Sequence, residues 1–354
     1  MIEHAINPLL QNPSSMLLFV APAGSGKTSL IIDLYQKKRF SKIIFLSPLR
    51  AISNELAMRM KGIPDTFLLE SFKDIAHAQS MILNNQNYFL VSTPELMGES
   101  FFNALESSLE GSGERPLIVL DEFHLFLYWG KTFRPHLLDR LISLYEISIP
   151  ILALTATMDN ERLTSWRTSI KKYREDVYYL NGGNHQLHNF PIHCYFYSGL
   201  FKKTFHHIFL IRLFKLRDEE MVIYFCRYKK EVEEWLEICQ EMGVSALGCV
   251  GGETQKFLTR LEVKRPRCIF TTSALSHGVN LPNVRGVFIS YKIGNLDFWT
   301  QIIARGGRRG ESFIVHSFDR FHKTLLNQVS DTFRLIWFNL LARVELFFSF
   351  WISS

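Results

Sequence analysis

Short apolar runs separated by longer amphipathic stretches repeat along almost the whole chain. In the first half the runs fall at 16–21, 43–47, 65–69, 88–92, 116–121 and 150–155, and stretches at 27–37, 50–61, 94–108 and 134–146 read as helices. Near-continuous apolar strands alternating with helices suit a parallel sheet covered on both faces. A polar stretch, Asn181-Gly182-Gly183-Asn184-His185-Gln186, breaks the pattern and reads as a linker. The alternation then resumes, with strands expected near 191–197, 221–226, 244–250, 267–271, 285–290 and 312–317. The pattern predicts an α/β protein of two parallel-sheet domains, 1–182 and 190–318, the second smaller, then an apolar helical segment at 319–354. In that segment the run from Leu335 to Trp351 is interrupted by Arg343 and Glu345. A membrane span needs about 20 largely uncharged apolar residues. The segment is therefore expected to pack or to dock a protein partner, with no membrane involved.

Composition adds bounds. A length of 354 residues exceeds one ordinary domain, and 47% apolar residues can fill two cores. The net charge of +6 fits a polyanion partner, but no Lys/Arg block stands out, so any basic surface is assembled by folding. The cysteines, Cys194, Cys226, Cys239, Cys249 and Cys268, are odd in number and never spaced Cys-x-x-Cys. That argues against a zinc module and for small core residues in a reducing compartment. The N-terminus lacks a basic-then-apolar signal pattern, and the expected location is cytoplasmic.

Chemistry concentrates in two runs. Ala21-Pro22-Ala23-Gly24-Ser25-Gly26-Lys27-Thr28 follows a strand and opens a helix. Small residues let backbone N–H groups curl toward phosphate oxygens, and the new helix adds the positive end of its dipole. Ala23, Gly24, Ser25, Gly26, Lys27 and Thr28 are thus the expected nucleotide cradle, with Lys27 reaching the β- and γ-phosphates and Thr28 ligating Mg²⁺. The second run, Asp121-Glu122-Phe123-His124, sits at the end of an apolar strand. There Asp121 can hold Mg²⁺, partly through water, and Glu122 can orient and deprotonate an attacking water.

With these two runs the chain resembles the DExH-box branch of superfamily 2 helicases, and further motifs follow in that family's order. Ser47 to Ala51 resembles motif Ia, Ser92 to Glu95 motif Ib, and Thr155-Ala156-Thr157 motif III. Val222 to Arg227 resembles motif IV, Thr272 to Pro282 motif V, and Gln301 to Gly310 motif VI. Motifs Ia and V are most similar to those of archaeal repair helicases and exosome-associated RNA helicases. The resemblance implies two tandem RecA-like domains with a nucleotide cleft between them, ATP and Mg²⁺ as cofactors, and single-stranded or tailed DNA or RNA as partner. It assigns Arg308 as arginine finger, with Arg305, Gln301 and Gly278 at the nucleotide. The same resemblance gives coupling to Thr155 and Thr157, and phosphate-backbone contacts to Arg50, Thr93, Arg227 and Thr272. Spacing adds that Arg305 and Arg308, three apart on an expected helix, share one face.

Other features shape the expected activity. His185, His188 and His193 lie in or beside the linker without a paired carboxylate and are not read as a metal site. Tyr178 and Tyr179 read as packing groups. Gln11 lies closer to Gly24 than an adenine-reading Gln normally would, so the preference for ATP is inherited from the resemblance. Eighteen residues separate Pro282 from Gln301, too short for a long strand-separating hairpin, and 44 follow Gly310, fewer than accessory winged-helix and ratchet domains need. The expectation is a minimal helicase motor. The alternatives are a translocase or remodelling ATPase that separates no strands, or a non-hydrolysing nucleic-acid-binding subunit of a larger complex.

Overall fold

A computed structural model describes residues 6–84, 86–110, 114–130, 134–276, 281 and 283–318. Gly278, most of the motif V loop around it, and the apolar segment 319–354 lie outside the described residues. The chain divides into two units, Met1–Gln186 and Leu187–Ser354.

In the first unit the apolar runs become strands β1 (Met16–Val20), β2 (Lys42–Leu46), β3 (Thr66–Leu68), β4 (Tyr88–Ser92), β5 (Leu117–Leu120), β6 (Ile151–Thr155) and β7 (Val177–Asn181). They form one sheet in the order β3-β4-β2-β5-β6-β1-β7, with every pairing parallel. Each residue of β1, β2, β4, β5 and β6 is buried, because apolar clusters cover both faces. One cluster packs Leu18, Ile118 and Phe123 with Trp166, and the other packs Leu17, Ile31 and Phe45 with Leu152. At about 1.5–3 kcal/mol for each fully buried large apolar side chain, these layers dominate the stabilisation of the unit. Strand β7 is an addition to the sequence expectation. It pairs only with β1, is half-exposed, and so lacks the unbroken apolar signature. Its last residue is Asn181, so the polar stretch read as a linker begins inside the sheet.

The second unit carries β8 (His193–Phe196), β9 (Met221–Phe225), β10 (Ala246–Cys249), β11 (Cys268–Thr271), β12 (Val284–Ile289) and β13 (Ile314–Ser317). Their order is β10-β11-β9-β12-β13-β8, again parallel throughout. One face is rich in aromatic groups: Phe205, Phe209, Tyr224, Phe270 and Phe288 pack around Cys226, Cys239 and Cys268. Burial pushes those thiols up, Cys239 to about 11, which makes them core residues rather than nucleophiles.

Candidate active site

In the first unit the loop between β1 and the helix Lys27–Gln36 is shaped by two glycines in the left-handed region, Gly24 at φ 83° and Gly26 at φ 86°. Glycine takes this conformation without the steric cost a side chain adds. Ser25 N–H donates to Pro22 O at 3.2 Å, closing a turn that leaves Gly24, Ser25 and Gly26 facing solvent, with Ala23 and Thr28 half-buried. The Lys27 ammonium folds over this loop and donates to the carbonyls of Ala21 at 2.7 Å and Pro22 at 2.9 Å.

Strand β5 delivers Asp121 to the same edge of the sheet, where carboxyl ends of parallel strands bind ligands. Asp121 is 6% exposed, and its N–H donates to Leu46 O at 2.9 Å. Burial, then the neighbouring Glu122 carboxylate, pushes its pKa up to about 7, with the Lys27 charge opposing both. Glu122 sits at φ 49°, a left-handed backbone that costs a non-glycine residue on the order of 1–3 kcal/mol and that clusters at functional sites. Its Oε2 is buried without a hydrogen-bond partner, 3.5 Å from His124 Nδ1.

His124 opens onto motif III. Its Nδ1 lies 2.8 Å from Thr155 Oγ1, and Thr155 Oγ1 donates to Thr157 O at 2.8 Å. A hydroxyl has one proton, so with that proton on Thr157 O the bond to His124 runs from an Nδ1–H into Thr155 Oγ1. Glu122, His124, Thr155 and Thr157 thus form one chain of contacts from the carboxylate pair to motif III. The sequence reading assigned no role to His124. Its place in the run Asp121 to His124 was the available signal.

Motifs Ia and Ib are held together by a residue outside every motif. Arg134 donates to Pro48 O at 2.8 Å, pairs with Glu95, and stacks its guanidinium 5.1 Å above the Trp129 ring. Arg50 is exposed at the start of the helix Arg50–Arg59, and Thr93 is buried just before the 3₁₀ turn Pro94–Leu96. Nothing in local spacing marks Arg134, because Pro48 and Glu95, which it joins, lie far away in sequence.

In the second unit Arg227 is exposed, with its N–H held by Glu231 Oε2 at 2.7 Å and its guanidinium 5.4 Å from the Tyr228 ring. Thr272 precedes the 3₁₀ turn Ser273–Leu275 at the end of β11. Gln301 is buried in the helix Leu296–Ile303, whose start is capped by Asn295 Oδ1 accepting from Phe298 N–H at 2.9 Å. Arg305 is buried, and its Nη2 donates to Ser276 O at 2.8 Å, which joins motif VI to the motif V loop.

The expectation that Arg305 and Arg308 share a helix face is corrected. The helix ends at Ile303, and both arginines lie in the turn that follows. The break comes from Gly306-Gly307. Gly307 is at φ 61°, and a Cβ on Gly306 would fall 2.2 Å from the Phe313 ring. Asn189 Nδ2 fixes this turn by donating to Gly307 O and Glu311 O, both at 2.9 Å. Arg308 is half-buried, with Nε donating to Ala304 O at 3.1 Å.

Two family models match the chain: DEAD/DEAH box helicase over residues 2–165, and helicase conserved C-terminal domain over residues 206–310. The RecQ-like DNA helicase BLM of Xenopus laevis is 26% identical over 339 residues, which is 90% of this chain and 24% of that protein. The ATP-dependent DNA helicase RecQ of Haemophilus influenzae is 25% identical over 323 residues, 86% of this chain and 48% of that protein. The chain therefore spans about a quarter of one of these relatives and just under half of the other. Among solved structures, S. cerevisiae Dbp5 bound to RNA and ADP BeF3 has a TM-score of 0.62 at 18% identity, covering 94% of this chain and 84% of that one. That likeness is one of fold.

Proposed function

The chain belongs to the superfamily 2 DExH helicases, with a core of two parallel-sheet units, and from that premise we propose that it hydrolyses ATP with Mg²⁺ to move along single-stranded or tailed nucleic acid and separate strands. The observation that carries the reading is the meeting at one sheet edge of the glycine-turned loop, Lys27, the buried Asp121 that feels the Lys27 charge, and the adjoining half-buried Glu122.

The residues suit a magnesium triphosphate. Asp121 and the Thr28 hydroxyl are hard oxygen donors, and the unpartnered Glu122 Oε2 has acceptor capacity for a water proton. Bound there, the metal would neutralise charge on the phosphoryl oxygens. Lys27 exchanges loop carbonyls for phosphate oxygens, Glu122 takes the proton of the attacking water, and His124, bonded to Thr155, sets motif III beside Glu122. By family resemblance Arg308 supplies the finger, with Arg305 and Gln301 sensing the γ-phosphate. Arg50, Thr93, Arg227 and Thr272 grip the sugar–phosphate backbone without reading bases, as movement along any sequence requires.

A second reading, a translocase that separates no strands, is favoured by one feature. Between motifs V and VI, β12 and the helix beginning at Leu296 leave only the short loop 290–295, and no hairpin stands there. Hydrolysis measured with and without matched DNA and RNA single strands, beside displacement from a tailed duplex, decides. Stimulation with displacement supports the helicase, stimulation alone the translocase, and no hydrolysis refutes both. Glu122→Gln is expected to keep nucleotide binding while turnover falls by about 10²–10⁴-fold; retained turnover would remove Glu122 from the role of base.

A further inference from the structure

The end of the first unit is fastened beside its nucleotide loop. Gly182 N–H donates to Val20 O at 2.6 Å. Asn181 Oδ1 accepts from the N–H groups of Gly183 at 3.0 Å and Asn184 at 2.8 Å, an Asx turn that fixes where the next side chain points. Asn184 then reaches the residue after motif III. Its Oδ1 accepts from Met158 N–H at 2.9 Å, and its Nδ2 donates to Met158 O at 2.7 Å. One amide side chain thus satisfies both backbone groups of one residue, as a neighbouring strand would. Gln186 N–H closes the turn on Gly183 O at 3.1 Å, with His185 at φ 59°.

The glycines make the approach close. A Cβ on Gly182 would lie 3.0 Å from the Phe19 ring and 3.2 Å from Val20 O. At Gly183, φ 118°, it would lie 3.3 Å from Pro22 Cγ. Pro22 is also the residue whose carbonyl holds the Lys27 ammonium at 2.9 Å. The last turn before Leu187 is therefore bonded to Val20 at the start of the nucleotide loop, passes beside Pro22 with no room for a side chain between, and meets motif III through Met158.

We infer that Asn184 is a positioning residue that transmits the nucleotide state of the loop and motif III to the segment by which the chain leaves the first unit. This rests on the ATP-dependent reading above. A Lys27 that turns to phosphate oxygens gives up carbonyl partners at Ala21 and Pro22, and Pro22, with φ held by its ring, carries such a change as a unit toward Gly183. On the other side, Thr157 adjoins Met158, so a rearrangement of the contacts from Glu122 through His124 to Thr155 reaches Asn184 through two rigid hydrogen bonds.

The full-length chain is compared with Asn184→Ala and Asn184→Asp; Asp keeps the acceptor but sets a carboxylate against Met158 O. Amide exchange at Met158 and 182–186 is followed with and without a non-hydrolysable ATP analogue and Mg²⁺. The native chain is expected to gain protection there on binding the analogue, and Asn184→Ala to lose that response. In turnover, Asn184→Ala should leave the KM for ATP and the unstimulated rate unchanged, while the nucleic-acid-stimulated kcat falls about tenfold, as a coupling energy in the usual range would give. Asn184→Asp should fall as far, and thermal melting should show both variants folded. A native chain whose exchange ignores the analogue would overturn the inference, as would an Asn184→Ala chain with lost protection at Met158 but undiminished stimulation. A native chain that binds the analogue and hydrolyses nothing refutes the helicase reading, and the exchange arm still decides the role of Asn184.

Discussion

Arg174 is 2% exposed, and its guanidinium donates to four carbonyls: Ser15 at 3.4 Å, Ile149 at 2.8 Å, Leu144 at 3.0 Å and Ile147 at 2.6 Å. These lie just before β1 and β6 and at the end of the helix His136–Glu146, so one side chain ties three elements together. Burial draws its pKa down to about 10, yet it stays charged at neutral pH because fixed carbonyl dipoles replace water. Arg174→Met, which leaves those carbonyls unpaired, is expected to destabilise the first unit by about 3–5 kcal/mol in urea unfolding. A loss below about 1 kcal/mol would mean that water replaces the clamp. In the second unit His316 is buried, stacked 4.3 Å from the Phe288 ring and bonded through Nδ1 to the Tyr197 hydroxyl at 2.6 Å. Burial, then the Arg212 charge, lowers its pKa well below 6.5. The folded form therefore stays neutral while the unfolded chain takes up a proton. The stabilisation is complete above the unfolded pKa and is lost as pH falls below about 6.5, by up to about 1.4 kcal/mol per pH unit. His316→Phe should flatten that slope between pH 6.5 and 5 in thermal melts; an unchanged slope would assign it to other groups. Neither residue was legible in the sequence. A motif compresses its chemistry into a contiguous run, as at Lys27-Thr28 and Asp121-Glu122, whereas Arg174, His316 and Arg134 take their roles from partners brought near only by folding.

At the scale of elements, the contacts around Arg134 give the clearest expectation. By joining Pro48, Glu95 and Trp129 it sets motifs Ia and Ib against the helix that follows the carboxylate pair. Arg134→Ala should weaken nucleic-acid affinity by about tenfold, 1.4 kcal/mol, in anisotropy titrations with a labelled single strand, while ATP affinity stays unchanged. Equal losses of both affinities would point to a general collapse of the unit. Strand existence was readable where burial is two-sided: β1, β2, β4, β5 and β6 are apolar at every position but the edge residues such as Lys42 and Ser92. β7 escaped because an edge strand with one neighbour needs no such run. The turn of motif VI escaped for the opposite reason, since three-residue spacing suggested a helix that Gly306-Gly307 ends.

For the whole molecule, doubly wound parallel sheets follow directly from apolar strands alternating with helices, and the order of the motifs follows from the family. What periodicity does not carry is the linkage inside the first unit, where Glu122, His124, Thr155 and Thr157 make one chain of contacts and Asn184 extends motif III to the unit's last turn. We propose that this machinery hydrolyses ATP in response to nucleic acid. The most direct measurement is the steady-state rate of ATP hydrolysis with Mg²⁺, with and without a single strand, for the native chain beside Glu122→Gln. Hydrolysis is expected to rise several-fold with the strand in the native chain and to be lost in Glu122→Gln, while that variant still binds ATP. A native rate indifferent to nucleic acid, or one undiminished by Glu122→Gln, would contradict the proposal.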